Sequence, residues 1–186
     1  MIDAKEKFKK NLTELSLDSA NGVSLVENDK LQMLCLDDMA VDTAENLRID
    51  SPSSCDALYM KEKEIYVIEF KNRKYSKMSS RDKREIREKA YYSIGLLTDM
   101  MPDKSLEELK THTTLFVVFQ EMDEEPSYSK IVDTFNRYAN KEEPVVRCQL
   151  GVFKEKYYRN IYTVGKKDFE TVYLPQIYGE EAAAEN

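Results

Sequence analysis

The chain has 186 residues, 41% of them hydrophobic and 34% charged, with a formal net charge of −7. This length and balance predict one globular domain over residues 1–178, with 179–186 as a disordered tail. No apolar run could span a membrane and the start, MIDAKEKFKK, lacks a signal-peptide core, so we expect a cytoplasmic protein without membrane contact. Three scattered cysteines and a single histidine, His112, exclude a disulfide framework and a two-histidine metal site.

The first half of the chain carries one helical pattern and three strand patterns. Residues 3–17 have apolar side chains at helical spacing and predict a helix. The apolar run 31–36 predicts a buried strand, and residues 37–55 read as a long polar connection. Two further strands are predicted at 56–60 and 64–71.

The second half begins with the clearest helix, residues 79–101, which starts with Ser79 and Asp82 at capping-box spacing. Residues 113–120 form a continuous apolar run, as expected for a central strand covered on both faces. Beyond it we predict a helix at 127–140, an ambiguous stretch at 145–153, a strand at 157–164 and a closing helix at 166–175. The predicted fold is α/β, with a mixed central sheet flanked by helices in which strands 64–71 and 113–120 are parallel.

The hairpin formed by strands 56–60 and 64–71 is predicted to bring two acids and a lysine together on one face. If Glu62 and Lys63 form the loop, paired residue numbers sum to 125, so Asp56 lies opposite Glu69, with Cβ atoms roughly 4.5–5.5 Å apart. Alternation along the strand places Lys71 on the same face. Facing carboxylates repel each other unless a shared proton, a basic neighbour or a bound cation such as Mg²⁺ offsets the repulsion.

Two interpretations of this cluster remain open from the residues alone. In the first, Lys71 helps to deprotonate a water molecule or neutralises charge that builds on a phosphate near the two acids. In the second, the cluster is a salt-bridge ladder at the end of a hairpin, which is common and contributes little stability.

Asp56, twelve intervening residues and then Glu69-Phe70-Lys71 resemble the motif of the PD-(D/E)XK superfamily, the restriction-endonuclease-like nucleases. The α-β-β-β-α-β core of that superfamily is similar to the element order predicted for residues 3–120, with β-α additions after it. The resemblance implies a nuclease that depends on Mg²⁺ or Mn²⁺, with Asp56 and Glu69 as metal ligands and Lys71 as the catalytic lysine. It favours DNA over RNA as substrate, and cutting both strands of a duplex would suit a homodimer.

The sequence departs from that family pattern at three places. Cys55 stands where the family has a proline before the aspartate. A further metal ligand from the first helix would be Glu14, although the alternative is an ordinary solvated acid. A Gln-x-x-x-Tyr motif on the helix after the lysine corresponds here to Arg87-x-x-x-Tyr91. Additional acids that could join the site lie in the polar connection: Asp42, Glu45 and Asp50.

The stretch from Lys71 to Lys89 holds nine Lys/Arg and three acids, a local balance of 9 − 3 = +6 within an acidic chain. Such a basic stretch is typical of a surface that binds nucleic-acid backbone, although a solvated helix face is the alternative. The candidate nucleic-acid contacts are Arg73, Lys74, Arg84, Arg87 and Tyr91.

Two other interpretations of the whole chain are alternatives to the nuclease. A catalytically inactive member of the same fold could act as a binding, accessory or immunity protein, with a protein partner in a defence or mobile-element system. Its acidic surface would suit a basic partner. The other alternative is an unrelated α/β domain whose hairpin carries these charges by chance.

Overall fold

The computed structural model describes residues 6–122 and 146–179. Its strands are β1 (Lys9–Asn11), β2 (Leu17–Asp18), β3 (Val23–Ser24), β4 (Gln32–Cys35), β5 (Ala57–Lys61), β6 (Glu64–Lys74), β7 (Thr113–Glu121) and β8 (Asn160–Gly165). Its helices are α1 (Leu12–Leu15), α2 (Leu36–Leu47), α3 (Ser80–Met100), α4 (Leu106–His112), α5 (Lys166–Asp168) and α6 (Leu174–Tyr178). Short 3₁₀ turns cover Tyr75–Lys77 and Leu150–Phe153, and a π-helical turn covers Phe169–Tyr173 between α5 and α6.

Six of the strands form one mixed sheet in the order β1-β4-β5-β6-β7-β8, and β2 and β3 form a separate two-stranded ribbon. Neighbours from β1 to β6 are antiparallel, whereas β6, β7 and β8 run parallel to one another. The long helix α3 connects β6 to β7, as parallel neighbours require. The predicted α/β class, the mixed sheet and the parallel pairing of β6 with β7 are therefore confirmed.

The sheet separates two hydrophobic clusters, and alternation along β6 decides which side chain enters which cluster. Ile65 and Val67 point to the face that α3 covers, where they join the cluster that contains Ile86. Ile68 and Phe70 point to the opposite face, which α6 covers. Because side chains alternate along a strand, Glu69 and Lys71 belong to the face covered by α3.

Helix α3 forms where the sequence predicts it. The Ser79 side chain accepts a hydrogen bond from the Asp82 backbone N–H while the Asp82 carboxylate accepts one from Ser79, which completes a capping box. Its buried stripe contains Ile86, Ala90 and Leu97, so the apolar periodicity is also the packing face. One face of α3 thus packs on the sheet, and the positions beside that face can direct polar side chains toward the sheet.

Two regions differ from the prediction. The helix expected at 3–17 is wrong over most of its described part: Glu6 is helical, but β1 pairs with β4 and only the single turn α1 follows it as helix. The strand pairing is a contact with residues more than twenty positions away, and it outweighs the local helical spacing. The connection expected at 37–55 contains most of the twelve-residue helix α2. Few residues of this helix are buried, and many of the others are acids, so its helical pattern is weak in the sequence.

The three strands β4, β5 and β6 followed by α3 and β7 correspond to the predicted order. Helix α2 lies between the first two of these strands, and α1 is too short to act as a leading helix. The helix predicted at 127–140 and nearly all of the tail lie outside the described residues. None of the helices in residues 6–122 and 146–179 combines the length and hydropathy needed to cross a bilayer.

Candidate active site

The hairpin of β5 and β6 has the register that the sequence predicts. Met60 pairs with Ile65 across a two-residue turn, and each pair down to Ala57 and Ile68 follows the same register. Asp56 directly precedes β5, and its Oδ2 accepts a hydrogen bond of 2.6 Å from the backbone N–H of Phe70. The carboxylate thus continues the strand pairing past the end of β5, next to Glu69.

Two lysines hold the two carboxylates together. Glu69 is fully buried, and its Oε1 lies 2.8 Å from Lys71 Nζ and 3.1 Å from Lys89 Nζ. The same Lys89 ammonium donates hydrogen bonds of 3.1 Å to Asp56 Oδ1 and Glu69 Oε2. Within the part of the chain that the structure describes, Glu69 Oε1 accepts no hydrogen bond of good geometry despite its two close ammonium groups. The predicted trio is therefore one cluster, and its fourth member is Lys89.

Lys89 is the site residue that reasoning from the sequence missed. It lies in α3 beside the buried residues Ile86 and Ala90, so its stem starts at the helix–sheet interface and its ammonium reaches Asp56 and Glu69. The signal that could have identified it is a lysine on the flank of the inner stripe of a helix that covers the predicted acids. The sequence pattern alone places Lys89 only at the end of the basic stretch.

The pKa values of the cluster follow from burial and from the distribution of the ammonium groups. Burial raises the pKa of Asp56 to about 7, the Glu69 charge adds to this rise, and Lys89 opposes it. Glu69 contacts both ammonium groups, whereas Asp56 contacts that of Lys89. Burial lowers the pKa of Lys71 and Lys89, but attraction to Glu69 outweighs it and holds both above the usual range.

The cluster opens onto a polar cleft of about 430 Å³. Asp56, Lys71 and Lys89 line it, together with Asp37 from the first turn of α2. Ser54 donates a hydrogen bond of 2.5 Å to Asp37 Oδ1, which fixes this second missed residue at the rim. The cleft therefore presents carboxylates and ammonium groups to the same space, as a site for phosphate and a cation requires.

The other acids considered from the sequence lie elsewhere. Glu14 is exposed, and its carboxylate accepts the backbone N–H of Asn11 at 3.0 Å in the capping box of α1. Asp42 is half-buried on α2, and Glu45 and Asp50 are exposed. The described residues that line the cleft include none of these four acids.

The predicted nucleic-acid contacts divide between two places. Arg73 lines the cleft with its side chain 63% exposed, and its Nη1 lies 3.8 Å from Asp82. Lys74, on the same strand, is paired with Glu121 at 2.5 Å. Of the two, only Arg73 lines the cleft.

The remaining three candidates, Arg84, Arg87 and Tyr91, line a second groove of about 380 Å³ along α3. Arg87 donates a hydrogen bond of 3.0 Å to the carbonyl oxygen of Cys148, and Tyr91 packs edge-on against Tyr157. These contacts give Arg87 a structural role in joining α3 to the segment around Cys148.

No protein-family model matches the chain, and neither a curated protein nor a solved structure is significantly similar to it.

Within the described ranges, no group of three or more His, Cys, Asp or Glu side chains is placed to hold a metal ion. Asp56 and Glu69 nevertheless offer hard oxygen donors on one face, and Glu69 Oε1 has no hydrogen bond from the described residues. This donor set suits Mg²⁺ or Mn²⁺, which need only one or two carboxylates and keep several waters.

Proposed function

We propose that the chain is a nuclease of the PD-(D/E)XK type that depends on Mg²⁺ or Mn²⁺ and hydrolyses phosphodiester bonds of DNA or RNA. The observation that carries the proposal is the fully buried Glu69 beside Asp56, with Lys71 Nζ 2.8 Å from Glu69 Oε1 at the wall of a polar cleft. A fully buried carboxylate beside a half-buried one is costly to maintain, and an acid with a raised pKa in a cleft, as Asp56 is, is typical of functional sites.

The arrangement of β4, β5, β6, α3 and β7 supports the restriction-endonuclease-like core as the finer description of the fold. The antiparallel hairpin β5–β6 carries the acids, and the parallel crossover through α3 leads to β7. This chain would depart from that core in two places. It has the helix α2 between β4 and β5, and its α1 is a single turn.

Asp56 and Glu69 would hold the divalent ion. When bound, the ion would polarise the phosphate and make a water molecule more acidic. Asp56 Oδ2 is committed to the Phe70 N–H, so the ion would bind Asp56 Oδ1 and Glu69 Oε1. Lys89 contacts both of these oxygens and Lys71 contacts Glu69 Oε1, so the ion would compete with ammonium groups there.

Lys71 would act as a fixed positive charge. Its raised pKa keeps it protonated at neutral pH, so it is suited to stabilise the negative charge that develops on the phosphate and unsuited to act as a base. Arg73, exposed on the rim of the same cleft, would contact the backbone next to the scissile phosphate.

The test is hydrolysis of plasmid DNA, single-stranded DNA and RNA with Mg²⁺ or Mn²⁺ by the wild type, Lys71→Ala and Lys110→Ala. Lys110 lies in α4, which leads into the start of β7, and pairs with the exposed Glu107. We expect Lys71→Ala to lower the rate by about 10²–10³-fold, as loss of one transition-state contact does, and Lys110→Ala to leave it unchanged. A wild type that cuts no substrate faster than Lys71→Ala would rule out the hydrolase.

A second candidate function is a binding protein that retains this fold without catalysis. The observation that favours it is Lys89, because its ammonium already compensates both carboxylates without a metal ion. Mn²⁺ titration of the wild type and of Asp56→Asn separates the two candidates. Binding that disappears in Asp56→Asn supports the nuclease, and equal binding or none supports the second candidate.

A further inference from the structure

The most distinctive group of the cleft is Lys89, which the proposed catalytic trio does not include. We infer that Lys89 holds the cation position of this site when no divalent ion is bound, and that a divalent ion enters by exchange with the Lys89 ammonium. This inference rests on the proposed function. It adds how a divalent ion would enter the site and how its entry would change the charge of the site.

The distances place the ammonium where the ion would have to bind. Lys89 Nζ lies 3.1 Å from Asp56 Oδ1 and 3.1 Å from both Glu69 carboxylate oxygens. A Mg²⁺ ion binds oxygen ligands at about 2.0–2.1 Å, so an ion shared by these oxygens would be nearly in contact with the nitrogen. Two positive groups at that separation repel each other, and both cannot bridge the same pair of carboxylates.

The acid pair is incompletely satisfied by the lysine. Glu69 is fully buried, and its Oε1 lies 2.8 Å from Lys71 Nζ and 3.1 Å from Lys89 Nζ without a hydrogen bond of good geometry from the described residues. Ammonium contacts of poor hydrogen-bond geometry compensate this oxygen less well than a directly coordinated cation would. The site therefore has a reason to accept a divalent ion in place of the ammonium.

Lys89 can leave its position without a change of the backbone. Its side chain is 13% exposed and lines the cleft, and four rotatable bonds connect its ammonium to the rigid helix α3. Rotation of the stem would move the charge into the cleft, on the side that Lys71 also lines.

The exchange also changes the charge that a substrate meets. Asp56 and Glu69, when ionised, balance Lys71 and Lys89, so the four groups together are neutral. A divalent ion that enters without expelling either lysine from the cleft brings the charge to +2. Acids outside these four groups also line the cleft (Asp18, Asp37, Asp82 and Glu85), so the ion would lower the repulsion of a polyanion by a net negative cleft. Cation binding would thereby be coupled to binding of the nucleic-acid backbone.

The experiment is calorimetric titration of Mn²⁺ into the wild type, Lys89→Met and Lys71→Met. Each variant removes one ammonium within about 3 Å of Glu69, so both relieve repulsion on the ion to a comparable degree. Only Lys89 also bridges to Asp56, and only its removal vacates the shared position. We expect Lys89→Met to bind Mn²⁺ about 10- to 100-fold more tightly than Lys71→Met, because hydrogen bonds to two charged groups no longer compete.

Each result has a definite meaning. Equal affinities of the two variants would overturn the exchange and leave the proposed nuclease intact. Binding by Lys89→Met without binding by the wild type would support the exchange and count against the nuclease. No binding by any of the three proteins would overturn the proposed function and the exchange with it.

A second measurement covers the case in which Lys89→Met does not fold. In Mn²⁺-soaked crystals of the wild type, the anomalous peak is expected between Asp56 and Glu69, with the Lys89 ammonium rotated into the cleft. A peak with Lys89 still bonded to both acids would overturn the exchange while supporting the metal site.

Discussion

Ser93 of α3 accepts a hydrogen bond of 2.8 Å from the backbone N–H of Cys55, and both residues are fully buried. Cys55 directly precedes Asp56, and Ser93 lies one helical turn after Lys89. This bond therefore joins the segment that carries one acid of the site to the helix that carries its lysine. It helps to fix the separation between Asp56 and Lys89 independently of the contact between their side chains.

Ser93→Ala tests this connection. The substitution leaves the buried Cys55 N–H without its acceptor, which should lower the free energy of unfolding by about 1–3 kcal/mol. Urea denaturation measures the change, with Ser80→Ala at the exposed start of the same helix as the control. A loss below about 0.5 kcal/mol, the range of ordinary surface substitutions, would show that the bond does not support the fold.

Glu69→Ala and Glu85→Ala compare a buried and an exposed acid that contact the same lysine. Glu69 is fully buried 2.8 Å from Lys71 Nζ, whereas the side chain of Glu85 is 45% exposed at 3.4 Å. Loss of Glu69 leaves two ammonium groups facing one carboxylate and should cost about 3–5 kcal/mol of unfolding free energy. Loss of Glu85 should cost at most about 1 kcal/mol. Similar costs for both variants would contradict the burial of the cluster.

The raised pKa of Asp56 predicts a pH dependence of stability in the metal-free protein. The folded state holds the Asp56 proton up to about pH 7, whereas the unfolded chain releases it near pH 3.9. Between these values the native state binds more protons than the unfolded state, so this group makes the unfolding free energy fall as pH rises. Asp56→Asn lacks the effect.

Urea denaturation in EDTA from about pH 4.5 to 7.5 measures this contribution of Asp56 to the pH dependence of the unfolding free energy. The unfolding free energy of the wild type minus that of Asp56→Asn should decrease steadily with pH. A difference that is constant or increases over this range would mean that Asp56 is ionised throughout.

The three cysteines should be unreactive in the folded protein. Cys35, Cys55 and Cys148 are buried, and burial raises the pKa of each thiol above its usual value. Since the thiolate is the reactive form, all three should react slowly with Ellman's reagent until the chain is unfolded. A thiol that reacts at the rate of free cysteine in the native protein would place that residue at the surface.

Arg73→Gln tests the path of the nucleic acid past the cleft. Arg73 is exposed at the rim, whereas the neighbouring Lys74 is already paired with Glu121. We expect Arg73→Gln to weaken binding of a nucleic-acid oligomer and to reduce the slope of log K against log salt by about 1, with a smaller change for Lys74→Gln. Equal slopes for the wild type and Arg73→Gln would place the backbone elsewhere.

The parts of the site that the sequence predicted are those set by short-range geometry. The register of Asp56 and Glu69 follows from strand alternation and a two-residue turn, so it could be counted from residue numbers. Helix α3 was predictable because its capping box and apolar stripe are both local patterns.

The parts that were missed depend on contacts between distant segments. Pairing of β1 with β4 replaced the expected helix at residues 9–11, and no local pattern records that pairing. Lys89 is twenty residues from Glu69 and reaches it only because α3 crosses the sheet at that point. Asp37 became part of the cleft because α2, which looked like a polar connection, folds as a helix.

The position of β8 has a consequence for fragments of this chain. All the residues of the proposed site precede residue 123, yet β7 pairs with β8 along six consecutive positions and is buried over most of its length. A fragment that stopped after β7 would keep every side chain of the site and expose the edge of an apolar strand. Such an edge pairs readily with other chains, so truncation there should give aggregates in place of a minimal domain.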